Sequence, residues 1–328
     1  MKKDEVREHL ARLNAEDLRL VAAHLYKMLP KKTAETKGAD RLLADPAGFL
    51  QTARVKKPPE LPDLEMLEFE TEEFLDNAAN QRYFAPNKII PKGQRSRWRF
   101  LAKRLYQDWW LLAAQPESQV AAAKALEDLY RILCHGSEVW MFSSTEPFHV
   151  IGVPRQEFFS QLILIKAQFL SANEWISQAL SLMLDVKSTE STTVEMHGAF
   201  LSLLTTAELK ESALQILTRE LGKSSSAPPA PEFSDRSRRR SSLLRLGFQV
   251  NWAFGDKERS LKWLRAFVGG ENRSEHVVLQ LLLETGDREF WMNSYETARS
   301  QKPSAVADWD KTYEQARLLG ELPAWQVR

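Results

Sequence analysis

Eight lysines and arginines fall between Arg82 and Gln107 with no acid among them, interleaved with Tyr83, Phe84, Trp98 and Phe100. Guanidinium forks and ammonium groups bind phosphate or carboxylate oxygens, and neighbouring aromatic faces can stack on bases or anchor an apolar side chain. The chemistry this stretch offers is therefore recognition of an anion. Lys88, Lys92, Arg95, Arg97, Arg99, Lys103 and Arg104 are the candidate ligands for a phosphate or an acidic partner, and Tyr83, Phe84 and Phe100 are the candidates for stacking. Arg95, Arg99 and Lys103 recur at i, i+4, i+8, which makes one stripe if the segment is helical. An internal answer to these cations lies just upstream. Glu60, Asp63, Glu65, Glu68, Glu70, Glu72, Glu73 and Asp76 form an acidic block without a base, and folding back would pair the two blocks.

Catalytic constellations are missing from the rest of the chain. The six histidines (His9, His24, His135, His149, His197 and His276) form no HExxH or HxH spacing, so no metal site is expected. Cys134 and His135 are adjacent, which on a helix turns their side chains about 100° apart and keeps a thiolate–imidazole pair from forming. A lone cysteine also leaves no intrachain disulfide. Phosphate-cradling glycine loops and a GxSxG elbow are absent. The residues predict a non-enzyme with no cofactor.

The elements that must position the basic stretch are helical. Only 13 glycines serve 328 residues, and no run alternates with period two. Val6, Leu10 and Leu13, then Leu18, Val21, Ala22, Leu25 and Leu29 behind an Asn14 cap, predict a helical hairpin that Pro30 ends. Residues 30–63 read as loop around a short helix at Leu42–Arg54. A helix capped by Thr71 is expected to run to Ala79. From Gln94 to Ala114 the positions Trp98, Leu101, Ala102, Leu105, Trp109 and Leu112 share one arc and predict an amphipathic helix. Another follows in residues 118–136, with Gly136 as its stop. Trp140, Phe142, Phe148 and Val150 are placed as the plug of a joint before a run of short helices.

The expected architecture is all-α: an N-terminal helical domain over 1–150, then an irregular, solenoid-like stack of antiparallel helix pairs over 151–328, interrupted by a flexible linker at 222–242. That linker holds a second basic cluster, "DRSRRRSS". A net charge of +1 argues against binding nucleic acid through overall charge, and no apolar stretch is long enough for a membrane span. The sequence thus predicts a cytoplasmic, non-catalytic binding protein, an adaptor or scaffold for a protein partner. The alternative is a nucleic-acid-binding accessory factor that uses residues 82–106.

Overall fold

A computed structural model describes residues 3–46, 49, 61–184, 190–225, 234–268 and 271–322. The described residues are helices and their connections, with no strand among them. The chain divides into two compact units, Met1–Glu60 and Leu61–Arg328.

The first unit contains α1 (Lys3–Ala11), α2 (Ala15–Met28), α3 (Lys31–Lys37) and α4 (Ala39–Ala44). Asn14 caps α2 as its sequence predicts, its side-chain oxygen accepting from the Glu16 and Asp17 amides at 3.0 and 2.9 Å. Gly38, at φ +66°, ends α3 and opens α4 in a conformation an L side chain would resist. The Tyr26 hydroxyl donates to Asp40 and ties α2 to α4. Apolar side chains nevertheless stay outside: α2 buries none, and Ala34 is the one buried apolar residue among the described residues of this unit. The helix expected at Leu42–Arg54 lies mostly outside the described residues.

The second unit opens with α5 (Leu64–Ala79), α6 (Lys92–Arg95), α7 (Trp98–Ala113) and α8 (Gln119–Glu138). Helix α5 starts seven residues before the expected Thr71, because the Asp63 carboxylate caps it by accepting from the Met66 amide at 2.9 Å. Thr71 has an interior role instead. Its hydroxyl donates to the Leu67 carbonyl at 2.7 Å and accepts from the Trp109 indole at 2.8 Å, which joins α5 to α7. Gly136 is not a stop, since α8 continues to Glu138. The missing side chain there admits the Phe142 ring, which lies 2.5 Å from where a Cβ would stand.

Then come α9 (Pro147–Ile151), α10 (Arg155–Lys166), α11 (Ala172–Leu184), α12 (Glu190–Leu203) and α13 (Ala207–Ser225). After these follow α14 (Asp235–Trp252), α15 (Lys257–Phe267), α16 (Glu271–Thr285), α17 (Arg288–Gln301), two short 3₁₀ turns and α18 (Asp310–Leu319). Sequential helices pack as antiparallel pairs, most extensively α7 on α8, α13 on α14, and α14 on α15. Alternate helices also touch: α8 meets α10, α10 meets α12, α12 meets α14, and α11 meets α13. No helix among the described residues is long and apolar enough to cross a membrane.

The expected domain change and linker fall on the following structure. Near residue 150, where a change of domain was expected, Tyr130 of α8 packs on Phe148, Phe158 and Phe159 with centroids 5.6–6.3 Å apart. One aromatic core therefore runs through that point. The expected linker at 222–242 is helical at both ends, and 226–233 lie outside the described residues. "DRSRRRSS" is the first two turns of α14, capped by Ser234. Its arginines are engaged: Arg238 pairs with Asp235, Arg239 lies 3.8 Å from Glu220, and Arg240 donates to the Phe267 carbonyl. A Ser cap with Leu243, Leu244 and Leu246 behind it outweighs the disorder signal of the flanking Pro and Ser residues.

Candidate functional site

The basic segment is carried by the turn after α5, an ordered loop, and the first half of α7. The turn begins at Gln81, whose φ of +56° reverses the chain. Asn87 then organises the loop. Its side-chain oxygen accepts from the amides of Ile89 and Ile90 at 3.0 and 2.7 Å, and its nitrogen donates to the carbonyls of Arg82 and Ala85 at 2.7 and 2.8 Å. Arg95 is the second organiser. It donates from Nε to the Ile90 carbonyl at 3.2 Å and from a terminal nitrogen to the Asn87 carbonyl at 3.4 Å. Arg95 therefore shapes the loop rather than standing with the outward cations.

Helix geometry also separates it from them. A turn at Ser96 and Arg97 separates α6 from α7, so of the expected continuous stripe of Arg95, Arg99 and Lys103 only Arg99 and Lys103 share one helix. The cause is local: Pro91 begins a short turn at Lys92 and Gly93 weakens it before Trp98 enters the core.

The acidic and basic blocks meet at two places. Arg82 pairs with Asp76, and Arg104 of α7 pairs with Glu70 of α5 at 2.7 Å. Arg104 also lies 3.9 Å from Asp108, whose carboxyl is pushed above its ordinary value, chiefly by burial. Among the described residues no ion pair forms to Lys88, Lys92, Arg97, Arg99 or Lys103, and all five are exposed. Folding back thus neutralises Arg82 and Arg104 and leaves five cations of the segment exposed without an ion pair among the described residues.

The aromatic residues divide in the same way. Tyr83 is buried between Phe74 and Phe142, with centroids 5.5 and 6.2 Å away, and burial raises its pKa to about 12. It serves the core and leaves the set of residues open to stacking. Phe84 is exposed and leans on Trp140 at 5.5 Å. Phe100 is 63% exposed, with the Arg99 guanidinium 4.8 Å over its ring. Trp140, at 61% exposed, belongs to the surface and was misplaced as a plug; Phe142 and Phe148 fill the joint. Nothing in the sequence separates it from Phe142, which lies in the same irregular segment and is fully buried. Ile89, 60% exposed at the centre of the Asn87 loop, was also missed.

Elsewhere the chemistry is quiet. Cys134 is buried beside Tyr130 and Arg155, and burial raises its thiol to about 11, which keeps it protonated. No group of three His, Cys, Asp or Glu among the described residues could hold a metal ion. An open groove of about 570 Å³ between α5 and α8 is floored by Leu75, Ala79 and Ile132. On its rim Asp76 pairs with Arg82 and Arg131 with Glu127 at 2.9 Å, and Asp128 and His135 complete the lining. Comparison with protein-family models, curated proteins and solved structures finds no match to this chain.

Proposed function

We propose that this protein is a non-catalytic α-helical adaptor that binds an acidic protein partner through the cationic face at the start of α7. The observation that carries the reading is the division just described: Lys88, Lys92, Arg97, Arg99 and Lys103 are exposed without an ion pair among the described residues, in a segment that also exposes Phe84, Ile89 and Phe100, with Trp140 against Phe84. Cations around apolar anchors suit an acidic segment with hydrophobic side chains, because arginine and aromatic residues carry much of the energy of protein interfaces. Contacts between alternate helices from α8 to α14 support a solenoid-like stack as the scaffold behind this face.

Affinity capture of the full chain from its native cell, followed by mass measurement, tests the proposal. A stoichiometric protein partner is expected, and R99E/K103E is expected to weaken its binding about tenfold or more. Recovery of no partner, or of one indifferent to those substitutions, would sink it.

A nucleic-acid ligand is the second reading, favoured by the same five exposed cations. Stacking is the weaker part of it: Tyr83 is buried, Phe84 leans on Trp140, and a guanidinium covers Phe100. Binding of single-stranded RNA or DNA that falls steeply with salt, with a slope reduced in R97A/R99A/K103A, would put this reading first.

A further inference from the structure

Two aromatic faces and a carboxylate close on one ammonium at the junction of α14, α15 and α17. Lys257 Nζ lies 5.8 Å from the Trp252 ring centroid and 5.5 Å from that of Phe290. Those rings stand 5.7 Å apart at 61° to each other, so they meet as two walls of a corner. Asp287 supplies the third wall and pairs with the same ammonium. Two π faces backed by an acid form the kind of arrangement in which proteins hold methylated ammonium groups.

The walls are held by the fold. Trp252 ends α14 and packs on buried Phe248 at 5.4 Å. Asp287 caps α17 by accepting from the Phe290 amide at 3.1 Å, so one helix start sets both the acid and the second ring. The occupant is looser. Lys257 enters on a flexible four-carbon stem, and its side chain is 46% exposed. Trp252 and Phe290 are themselves only half-buried.

A primary ammonium is the poorer guest for this corner. It is compact and strongly hydrated, and ring faces replace the lost water weakly. Methyl groups spread the charge over apolar surface that the indole and phenyl faces bury favourably. A dimethylated ammonium also keeps one N–H for the Asp287 carboxylate, whereas a trimethylated one has none. The resident side chain indicates what carries the group, because the corner already takes a lysine stem with its charge at the tip. We propose that Trp252, Phe290 and Asp287 bind a dimethylated lysine side chain of another protein, and that Lys257 occupies the site until that side chain displaces it.

Ligand-observed NMR of the full chain tests this, with a peptide bearing one dimethyllysine beside its unmodified and trimethylated forms. The lysine ε-methylene signal reports binding of all three. Affinity in the millimolar range is expected, because Lys257 competes at an effective concentration of that order. K257A vacates the corner and should bind the dimethylated peptide about tenfold more tightly. Alanine is a good helix former, so this variant keeps the start of α15. The order of affinity should be dimethylated, trimethylated, unmodified. In the K257A background D287N should erase the preference for the dimethylated form, since asparagine still caps α17 but carries no charge. W252L in the same background should weaken binding about tenfold or more. A K257A chain that binds no methylated peptide at about 10 mM would overturn the proposal. So would equal binding of the unmodified peptide, indifference to D287N and W252L, or tighter binding of choline, which would give the corner to a small ligand.

Discussion

At the scale of single residues, two buried features give sharp expectations. Gly247, inside α14, would place a Cβ 1.9 Å from the Trp263 ring. The indole cannot give way without leaving its packing against Phe267, 5.0 Å away between centroids. Gly247→Ala should therefore lower stability by about 1–3 kcal/mol in denaturant titration, although alanine is the better helix former. His197 of α12 is buried, with neither ring nitrogen hydrogen-bonded, and burial followed by the Arg245 guanidinium lowers its pKa to about 3. An unfolded histidine titrates near its ordinary 6.5. Between those two values the unfolded chain holds the extra proton, so stability is full above about pH 6.5 and falls with pH by up to about 1.4 kcal/mol per unit. His197→Leu should flatten that part of the stability–pH profile and leave stability at pH 7 equal or higher. An unchanged profile would refute the role given to this ring. Sequence alone shows neither feature. Gly247 reads as an ordinary helical glycine and His197 as one of six scattered histidines, because burial and the facing partner come from distant segments.

At the scale of helices, α8, α10 and α11 are joined by one charged residue. Lys166, at the end of α10, is 6% exposed, and its ammonium donates to Glu127 of α8 and to Gln178 of α11. Glu127 is shared with Arg131 at 2.9 Å. Removing the acid strands a buried ammonium, so Glu127→Ala should cost about 3 kcal/mol or more. Lys166→Met keeps the aliphatic stem and removes the buried charge, and should cost clearly less. Equal losses in thermal or denaturant unfolding would show that packing, not charge, binds these helices. The elements themselves were largely legible. Trp98, Leu101, Ala102, Leu105, Trp109 and Leu112 foretold the buried face of α7, and Asn14 foretold the start of α2. What escaped was punctuation: Asp63 rather than Thr71 caps α5, and Ser234 starts α14 inside a stretch that composition reads as linker. Capping is decided by one side chain and one amide, which a composition window averages away. The candidate surface was half legible for a related reason. Charge identified the segment, but only the fold shows Arg82, Arg95 and Arg104 bound internally and Trp140 exposed.

At the scale of the whole chain, the buried apolar side chains are divided very unequally between the two units. Trp98, Trp109, Trp291, Tyr130, Tyr295 and the fully buried phenylalanines all belong to Leu61–Arg328, whereas Met1–Glu60 contributes Ala34 among the described residues. Hydrophobic burial dominates stability and scales with area removed from water, so the second unit holds nearly all of the core that resists unfolding. A fragment of residues 61–328 should then fold alone and melt within about 2 °C of the full chain at equal, low concentration. Its denaturant m-value should be little reduced, since the described residues of the first unit have little buried surface to expose. The same fragment tests the binding face proposed above. It retains Lys88, Lys92, Arg97, Arg99 and Lys103 and should keep partner binding. A fragment that melts more than about 5 °C lower at micromolar concentration would mean that the first sixty residues are structural to the second unit. A fragment that melts normally but loses its partner would place the binding face in those sixty residues, and the cations of α7 would no longer be its carriers.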